Sequence, residues 1–133
     1  MVQARQRNNR TGFAISGLLA VVITILLLVP TSGTSAPKII GFDKIIHFVL
    51  FFVLVVPALS YAPRTWVWVV PVAILYGAMI EIIQPYFGRG REFGDFVANS
   101  LGVLVAVPVS RWVHTRWLEP RQISDDKRPE GNR

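Results

Sequence analysis

The sequence predicts an all-α fold, an integral membrane bundle of four transmembrane helices with both termini in the cytoplasm. Three observations lead to this prediction. Hydrophobic residues make up 52% of the 133 residues and are concentrated in four blocks, whereas a soluble domain averages roughly 45–50%. The blocks carry interior prolines, which membrane helices tolerate and strands do not. The basic residues lie mainly at the two ends of the chain, as a membrane orientation signal does.

Composition also excludes several classes of protein. The net charge of +6 would suggest nucleic-acid binding in a soluble domain. Because the basic residues lie outside the apolar blocks, no nucleic-acid partner is predicted. The chain has no cysteine, which excludes disulfides, thiolate metal sites and a cysteine nucleophile.

The first predicted span, residues 12–30, is 19 residues long and uncharged. As a helix it would cover about 28 Å, close to the roughly 30 Å of a bilayer core. A cleaved signal peptide is the alternative, but the run exceeds the roughly 7–15 residues of a signal core, and Pro37 would follow the cut directly. Residues 1–11 form a basic cytoplasmic N-terminus.

The remaining spans complete a transmembrane domain at residues 12–113. They are predicted at residues 45–62, 66–84 and 93–113. The third span stops at Pro85, which does not continue a helix easily. The segment 114–133 is polar and has no apolar periodicity, so it is predicted to be a disordered cytoplasmic tail.

The distribution of lysine and arginine predicts the orientation. With the N-terminus inside, ten basic residues face the cytoplasm and four face outward, which favours cytoplasmic termini. The outward set is Lys38, Lys44, Arg89 and Arg91.

Polar residues of three spans are predicted to meet near the outer surface. On the second span Asp43 and His47 are four residues apart and share a helix face. Glu81 and Gln84 at the end of the third span also share a face, as do Asp95 and Asn99 at the start of the fourth. Lys44, Arg89 and Arg91 would balance the three carboxylates, because isolated charges are expensive in a bilayer.

Each polar residue also has a purely structural interpretation. Asp43 could cap the second helix, His47 could be a hydrogen-bonded packing residue, and Arg89 and Arg91 could meet lipid headgroups. Asn99 could join helices. Small residues at four-residue spacing form a packing stripe that would serve packing inside one protomer or a homo-oligomer: Ala98, Gly102 and Ala106.

The ordered set of motifs resembles the VanZ-like family of small bacterial membrane proteins. It consists of "DKIIH" at 43–47, "YGAMIEIIQPYF" at 76–87 and "GRGREFGDFVANSLG" at 88–102. Two departures are Ala106, where many members have glycine, and the acidic Glu92 beside Arg91. Arg89 is not part of the family pattern.

The resemblance implies a multi-pass protein of the bacterial inner (cytoplasmic) membrane with a role in the cell envelope. The founding member of the family is associated with resistance to the antibiotic teicoplanin. The site residues that the resemblance implies are Asp43, Lys44, His47, Glu81, Gln84, Arg91, Asp95 and Asn99.

Two classes of function stay open for this site. In the first, Arg91 and Lys44 hold phosphate or carboxylate oxygens of a lipid-linked or cell-wall glycan, and Asn99 and Gln84 add hydrogen bonds. If the protein is an enzyme, Glu81 is the candidate general base and His47 its acid partner. In the second class, the polar cluster is an interhelical structural network of a membrane scaffold or partner protein.

No cofactor and no metal ion are predicted, and no zinc-protease, nucleophile-elbow or P-loop motif occurs in the sequence. Ligand type leaves open a divalent cation held by Asp43, His47 and Glu81. An ion pathway is not expected, because the cytoplasmic halves of the spans carry no charged residue apart from Arg111 near the end of the fourth span. Membrane lipids surround a site that is predicted to open to one side only.

Overall fold

Four long helices build the protein. The structure, a computed structural model, describes residues 2–30 and 41–118, with side chains described from residue 9 onward. The helices are α1 (Val2–Leu28), α2 (Phe42–Tyr61), α3 (Trp66–Ile83) and α4 (Phe93–Val113). Each is long and apolar enough to cross a membrane, and the described ranges contain no strand. The predicted all-α bundle of four spans is therefore confirmed.

The first helix begins earlier than the predicted span. It starts at Val2, whereas the uncharged apolar run begins at Gly12. The residues ahead of that run include glutamine, arginine and alanine, which are good helix formers. The helix therefore extends beyond its apolar part.

Short helical turns follow three of the long helices. Tight 3₁₀ turns occupy Pro63–Thr65 and Gln84–Phe87. A π-helical turn, His114–Leu118, continues α4 into the segment that was predicted to be a disordered tail. The rest of that segment, 119–133, lies outside the described residues, as does Lys38.

Helices α2 and α4 share the most extensive interface in the described part of the bundle. A Cβ atom on Gly102 would collide with the backbone carbonyl oxygen of Phe48, so only glycine lets the two backbones approach this far. Ala98 and Ala106 on the same stripe are 8% and 0% exposed. The small-residue stripe thus packs inside one protomer.

Pro57 inside α2 is accommodated by a neighbouring helix. Pro57 lies within α2, and the backbone N–H of the next residue, Ala58, donates to Ser16 Oγ of α1 at 3.1 Å. Gly12 lets α1 approach this part of α2, because a Cβ there would lie 2.9 Å from the Pro57 carbonyl oxygen. A side-chain hydroxyl therefore satisfies a backbone group beside the proline.

Polar contacts also join α1 to α3. Tyr76 Oη donates to the Ala20 carbonyl oxygen at 2.9 Å and lies 2.7 Å from Thr24 Oγ1. At the end of both helices, Gln84 Nε2 donates to the Leu27 carbonyl oxygen at 3.3 Å. One end of the bundle therefore contains the ends of α1 and α3 and the starts of α2 and α4; we call it the polar end.

The outer surface of the bundle is strongly apolar. Leu18, Trp68 and Leu75 are 68%, 75% and 71% exposed. An exposed apolar surface of this extent is unusual for a soluble monomer, and it suits helices that face lipid acyl chains.

Candidate functional site

A hydrogen-bonded chain of three side chains lies inside the polar end. His47 Nδ1 of α2 lies 3.0 Å from Asn99 Oδ1 of α4. Asn99 Nδ2 donates to Glu81 Oε1 of α3 at 3.3 Å. The exposed fractions of His47, Glu81 and Asn99 are 0%, 4% and 0%. Three helices are therefore joined through one buried polar chain.

Gly77 makes room for this chain between α3 and α4. A Cβ at Gly77 would lie 3.3 Å from Asn99 Cβ and 3.1 Å from the ring of Phe51. The two helices can therefore approach closely one turn before Glu81, which keeps its carboxylate within reach of the Asn99 amide.

A second group of charges extends from the chain toward solvent. Asp95, 2% exposed, has its Oδ2 atom 3.9 Å from His47 Nε2. Its Oδ1 atom lies 3.5 Å from Lys44 Nζ, which in turn donates to Glu92 Oε2 at 2.8 Å. Charged groups are thus arranged from the buried histidine to the exposed Glu92.

Asp43 lies at the edge of this group. It is in the first turn of α2, whose N-cap is Gly41 in a left-handed conformation, and no side chain caps the helix. Asp43 Oδ1 instead lies 3.4 Å from the Arg89 guanidinium. The capping interpretation of Asp43 is therefore wrong, and its carboxylate is available to the polar cluster.

Gln84 is the predicted site residue that lies apart from the others. It is 1% exposed, and its Nε2 atom contacts α1 through Leu27. This contact fixes the end of α1 against α3 and does not bring Gln84 into the His47–Asn99–Glu81 chain.

Arg91 lies beside a cavity between the end of α3 and the start of α4. The cavity has a volume of about 480 Å³, and Glu81 lies at its wall together with Glu92. Its apolar lining is Ala78, Ile82, Phe93 and Phe96. Among the described residues Arg91 has no ion-pair partner, so its guanidinium is free to meet an anion.

The sequence places this constellation in a known family. Residues 3–114 match the sequence model of the VanZ/LLP1 family. The chain belongs to the VanZ/LLP1 family. Together with four helices that can cross a membrane, this makes it a multi-pass membrane protein. Comparison with curated proteins and with solved structures found no match.

The sequence of this VanZ/LLP1 chain does not predict the contribution of Glu92. Glu92 departs from the family pattern, yet it is the nearest carboxylate to Lys44. Arg89, which is outside the family pattern but is predicted to balance the carboxylates, pairs with Asp43. The spacing of acidic and basic residues in the 88–95 connection was the available signal, but pairing across helices does not follow from spacing alone.

The arrangement separates residues that a ligand could meet from residues behind them. Glu81 and Arg91 line the cavity of this VanZ/LLP1 protein, whereas His47 is fully buried behind Asn99. A ligand in the cavity would meet a carboxylate and a guanidinium first.

Potential metal-ligand atoms of Asp43, His47 and Asp95 all lie within 4.8 Å of one another.

Proposed function

We propose that this VanZ/LLP1 protein binds or modifies an anionic lipid-linked or cell-wall glycan component at the outer face of the bacterial cytoplasmic membrane, and thereby lowers susceptibility to teicoplanin. The polar end is the binding site, and it faces outward. Arg91 holds a phosphate or carboxylate group of the ligand, and Glu81 contacts the adjoining polar part.

The observation that carries the proposal is the unpaired Arg91 beside a cavity that reaches a buried carboxylate. A guanidinium presents several N–H donors in a planar fork that matches phosphate and carboxylate oxygens. Lys44 and Arg89, by contrast, are engaged with Glu92 and Asp43. Arg91 is therefore the basic side chain best placed to accept a new anionic partner.

The apolar wall of the cavity supports a ligand that carries a lipid chain. Ile82 and Phe93 line the cavity and are 54% and 78% exposed on the outside of the bundle. The cavity therefore adjoins surface that faces acyl chains in a membrane. A lipid-linked headgroup could enter the cavity from the side while its hydrocarbon chain stays in the bilayer. A free soluble anion would not need such a lateral opening.

The distribution of basic residues supports an outward-facing polar end. The opposite end carries Arg64, Arg111 and Arg116, which the positive-inside rule places in the cytoplasm. There Arg111 lies 5.7 Å from the ring centre of Trp66, and both residue types are typical of the membrane interface.

If the ligand is modified as well as bound, Glu81 is the group to act on it. Its carboxylate lies at the cavity wall, and one oxygen is held by Asn99, which leaves the carboxylate positioned to accept a proton. His47 Nδ1 lies 3.5 Å from the same oxygen. The histidine would then support Glu81 from behind and would not contact the ligand itself.

A structural scaffold is the competing function. The chain of His47, Asn99 and Glu81 joins three helices, which is what an interhelical network does. Interhelical hydrogen bonds in membranes, however, contribute on average only about 0.6 kcal/mol. A purely structural network of His47, Asn99 and Glu81 would also not require an unpaired arginine beside a cavity.

The test is binding of a polyprenyl phosphate to the purified full chain in lipid nanodiscs. Arg91→Gln should weaken binding by at least about tenfold, because a charge-assisted hydrogen bond contributes roughly 1.5–3 kcal/mol. Arg64→Gln is the matched control, because Arg64 is an exposed arginine at the opposite end. Equal affinities of parent and Arg91→Gln would refute the role of Arg91, and no binding by the parent would refute the ligand class.

A further inference from the structure

We infer that the polar end also contains a divalent-cation site formed by His47 Nε2, Asp95 and Asp43. Potential ligand atoms of these three side chains lie within 4.8 Å of one another. This inference goes beyond the proposed function, since it concerns an ion that binds beside the cavity whether or not a lipid-linked ligand does.

The hydrogen bonds of Asn99 determine which nitrogen of His47 is available. Asn99 Nδ2 donates to the Glu81 carboxylate, which as a carboxylate can only accept. The Asn99 oxygen therefore faces His47 Nδ1 at 3.0 Å, and Nδ1 must carry the proton that it donates. In a neutral ring the other nitrogen, Nε2, then has a free lone pair.

This lone pair is buried and faces another acceptor. His47 is 0% exposed, and Nε2 has no hydrogen-bond partner among the residues that the structure describes. The nearest carboxylate oxygen, Asp95 Oδ2, is 3.9 Å away. Buried polar atoms are nearly always satisfied, so two facing acceptors indicate that a positively charged group belongs between them.

The distances are close to those of a metal site. Zn²⁺ holds nitrogen and oxygen ligands tetrahedrally at roughly 2.0–2.2 Å, so two ligands of one ion lie about 3.3–3.6 Å apart. His47 Nε2 and Asp95 Oδ2 are 3.9 Å apart, so small side-chain rotations would bring both atoms to one ion. Asp43, one helical turn before His47, completes the set, because its ligand atom lies within 4.8 Å of the other two.

The surroundings resemble those of known metal sites in two respects. A ligating histidine usually donates its second N–H to an oxygen that orients the ring, as His47 does toward Asn99. The Asp43 side chain is 47% exposed, so an ion can reach the site from solvent. Three protein ligands would leave positions open for a phosphate oxygen or water.

Among the residues that the structure describes, the charges at the polar end leave room for a cation. Four carboxylates lie there, on Asp43, Glu81, Glu92 and Asp95, against three described basic side chains, on Lys44, Arg89 and Arg91. Lys44 is the rival cation for Asp95. It lies 3.5 Å from Oδ1 but only 2.8 Å from Glu92, so the Oδ2 side of Asp95 stays open to an ion.

The donor set favours Zn²⁺ or Mn²⁺. Imidazole nitrogen is a good ligand for zinc, and carboxylates suit manganese and magnesium. One imidazole with two carboxylates therefore fits ions that accept both donor types, and it disfavours Ca²⁺, which takes oxygen ligands.

The test is calorimetric titration of Zn²⁺ into the full chain, purified in detergent and treated with a chelator. Mn²⁺ is titrated in parallel and followed by electron paramagnetic resonance. We expect one ion per chain. His47→Gln and Asp95→Asn should each weaken binding by at least roughly tenfold, as loss of outer-shell partners already does in metal sites.

Two further variants keep the test decisive if the buried substitutions prevent folding. Asp43→Asn alters a half-exposed side chain and should also weaken binding at least tenfold. His114→Gln is the matched histidine control, because His114 lies at the opposite end, where Nδ1 is 2.8 Å from the Ser60 carbonyl oxygen. It should bind the ion as the parent does.

The inference is overturned if the parent binds neither ion, or if Asp43→Asn binds as tightly as the parent. The first result would mean that no divalent cation lies between His47 and Asp95. Because no lipid-linked ligand is present, this outcome leaves the polyprenyl phosphate experiment unaffected. A chain that binds the ion but no polyprenyl phosphate would refute only the proposed function.

Discussion

His47 Nδ1 and Asn99 Oδ1 lie 3.0 Å apart although the two residues are 52 positions apart in the sequence. The contact joins α2 to α4, and the second hydrogen bond of Asn99 continues it to Glu81 on α3. One amide thus uses its acceptor and its donor to connect three helices in a buried environment. Removal of the Asn99 amide should therefore lower the stability of the fold more than removal of an ordinary polar contact does.

Asn99→Ala is expected to lower the free energy of unfolding by about 1–3 kcal/mol, because it leaves a buried donor and a buried acceptor without partners. The measurement is denaturant unfolding in detergent micelles. Ser100→Ala is the control, since among the described residues the Ser100 hydroxyl donates only to the Phe96 carbonyl oxygen of its own helix, at 2.9 Å. Equal losses of stability for the two variants would show that the hydrogen bonds of Asn99 to His47 and Glu81 contribute no more than a bond within one helix.

Gly102→Ala is expected to destabilise the protein by about 1–3 kcal/mol, the usual range for overpacking a tight interface. The added methyl group would meet the α2 backbone at Phe48, and backbone cannot rotate away as a side chain can. Thermal unfolding of matched samples measures the effect.

Gly17→Ala is the matched control for that substitution. Beyond its own stretch of helix, no atom of the described residues lies within 4 Å of a Cβ at this position, and alanine is a better helix former than glycine by roughly 0.8–1.0 kcal/mol. The control should therefore be neutral or stabilising. If Gly102→Ala were equally well tolerated, the close approach of α2 and α4 would be wrong.

Tyr76→Phe should reduce stability by about 0.5–1.5 kcal/mol, because the hydroxyl contacts both the Ala20 carbonyl oxygen and Thr24 Oγ1 on α1. Tyr86→Phe removes the same atom from a side chain that is 85% exposed, and it should change stability by less than about 0.5 kcal/mol. Denaturant unfolding of the pair measures the difference. A larger loss for Tyr86→Phe would contradict the contact between α1 and α3.

The fold could be predicted from sequence because lipid imposes few solutions. Long apolar segments in a bilayer must satisfy their backbone internally, so four such segments predict four helices. Helix ends were harder to predict. The start of α1 at Val2 depends on helix propensity outside the apolar segment, and the turn after Val113 continues a helix through polar residues.

The positions of the site residues could be predicted where helix geometry alone determines which residues share a face. Four-residue spacing put Asp43 near His47 and Asp95 near Asn99, and these pairs do share faces that meet at the polar end. Long side chains were less predictable, since their direction depends on the neighbouring helix. Gln84 turns toward α1, which no spacing rule on α3 indicates.

The cation ligands were also hard to predict, because the direction of a side chain depends on the neighbouring helix. Ligand type alone suggested Glu81 together with Asp43 and His47, whereas the atoms that converge belong to Asp43, His47 and Asp95. Glu81 is engaged by Asn99 on the other side of the histidine ring. Which carboxylate faces which nitrogen depends on the packing of α4 against α2, and the sequence does not encode that packing in a local pattern.

The most direct test of the central claim, that the polar end is a working site and not only a structural network, is Glu81→Gln beside the parent at matched membrane levels. Glutamine keeps an oxygen that can accept the Asn99 hydrogen bond but removes the negative charge. The measurements are thermal unfolding and susceptibility of bacteria to teicoplanin. We predict an unchanged unfolding temperature and loss of the protection that the parent gives. Full protection by Glu81→Gln, or none by the parent, would contradict the account.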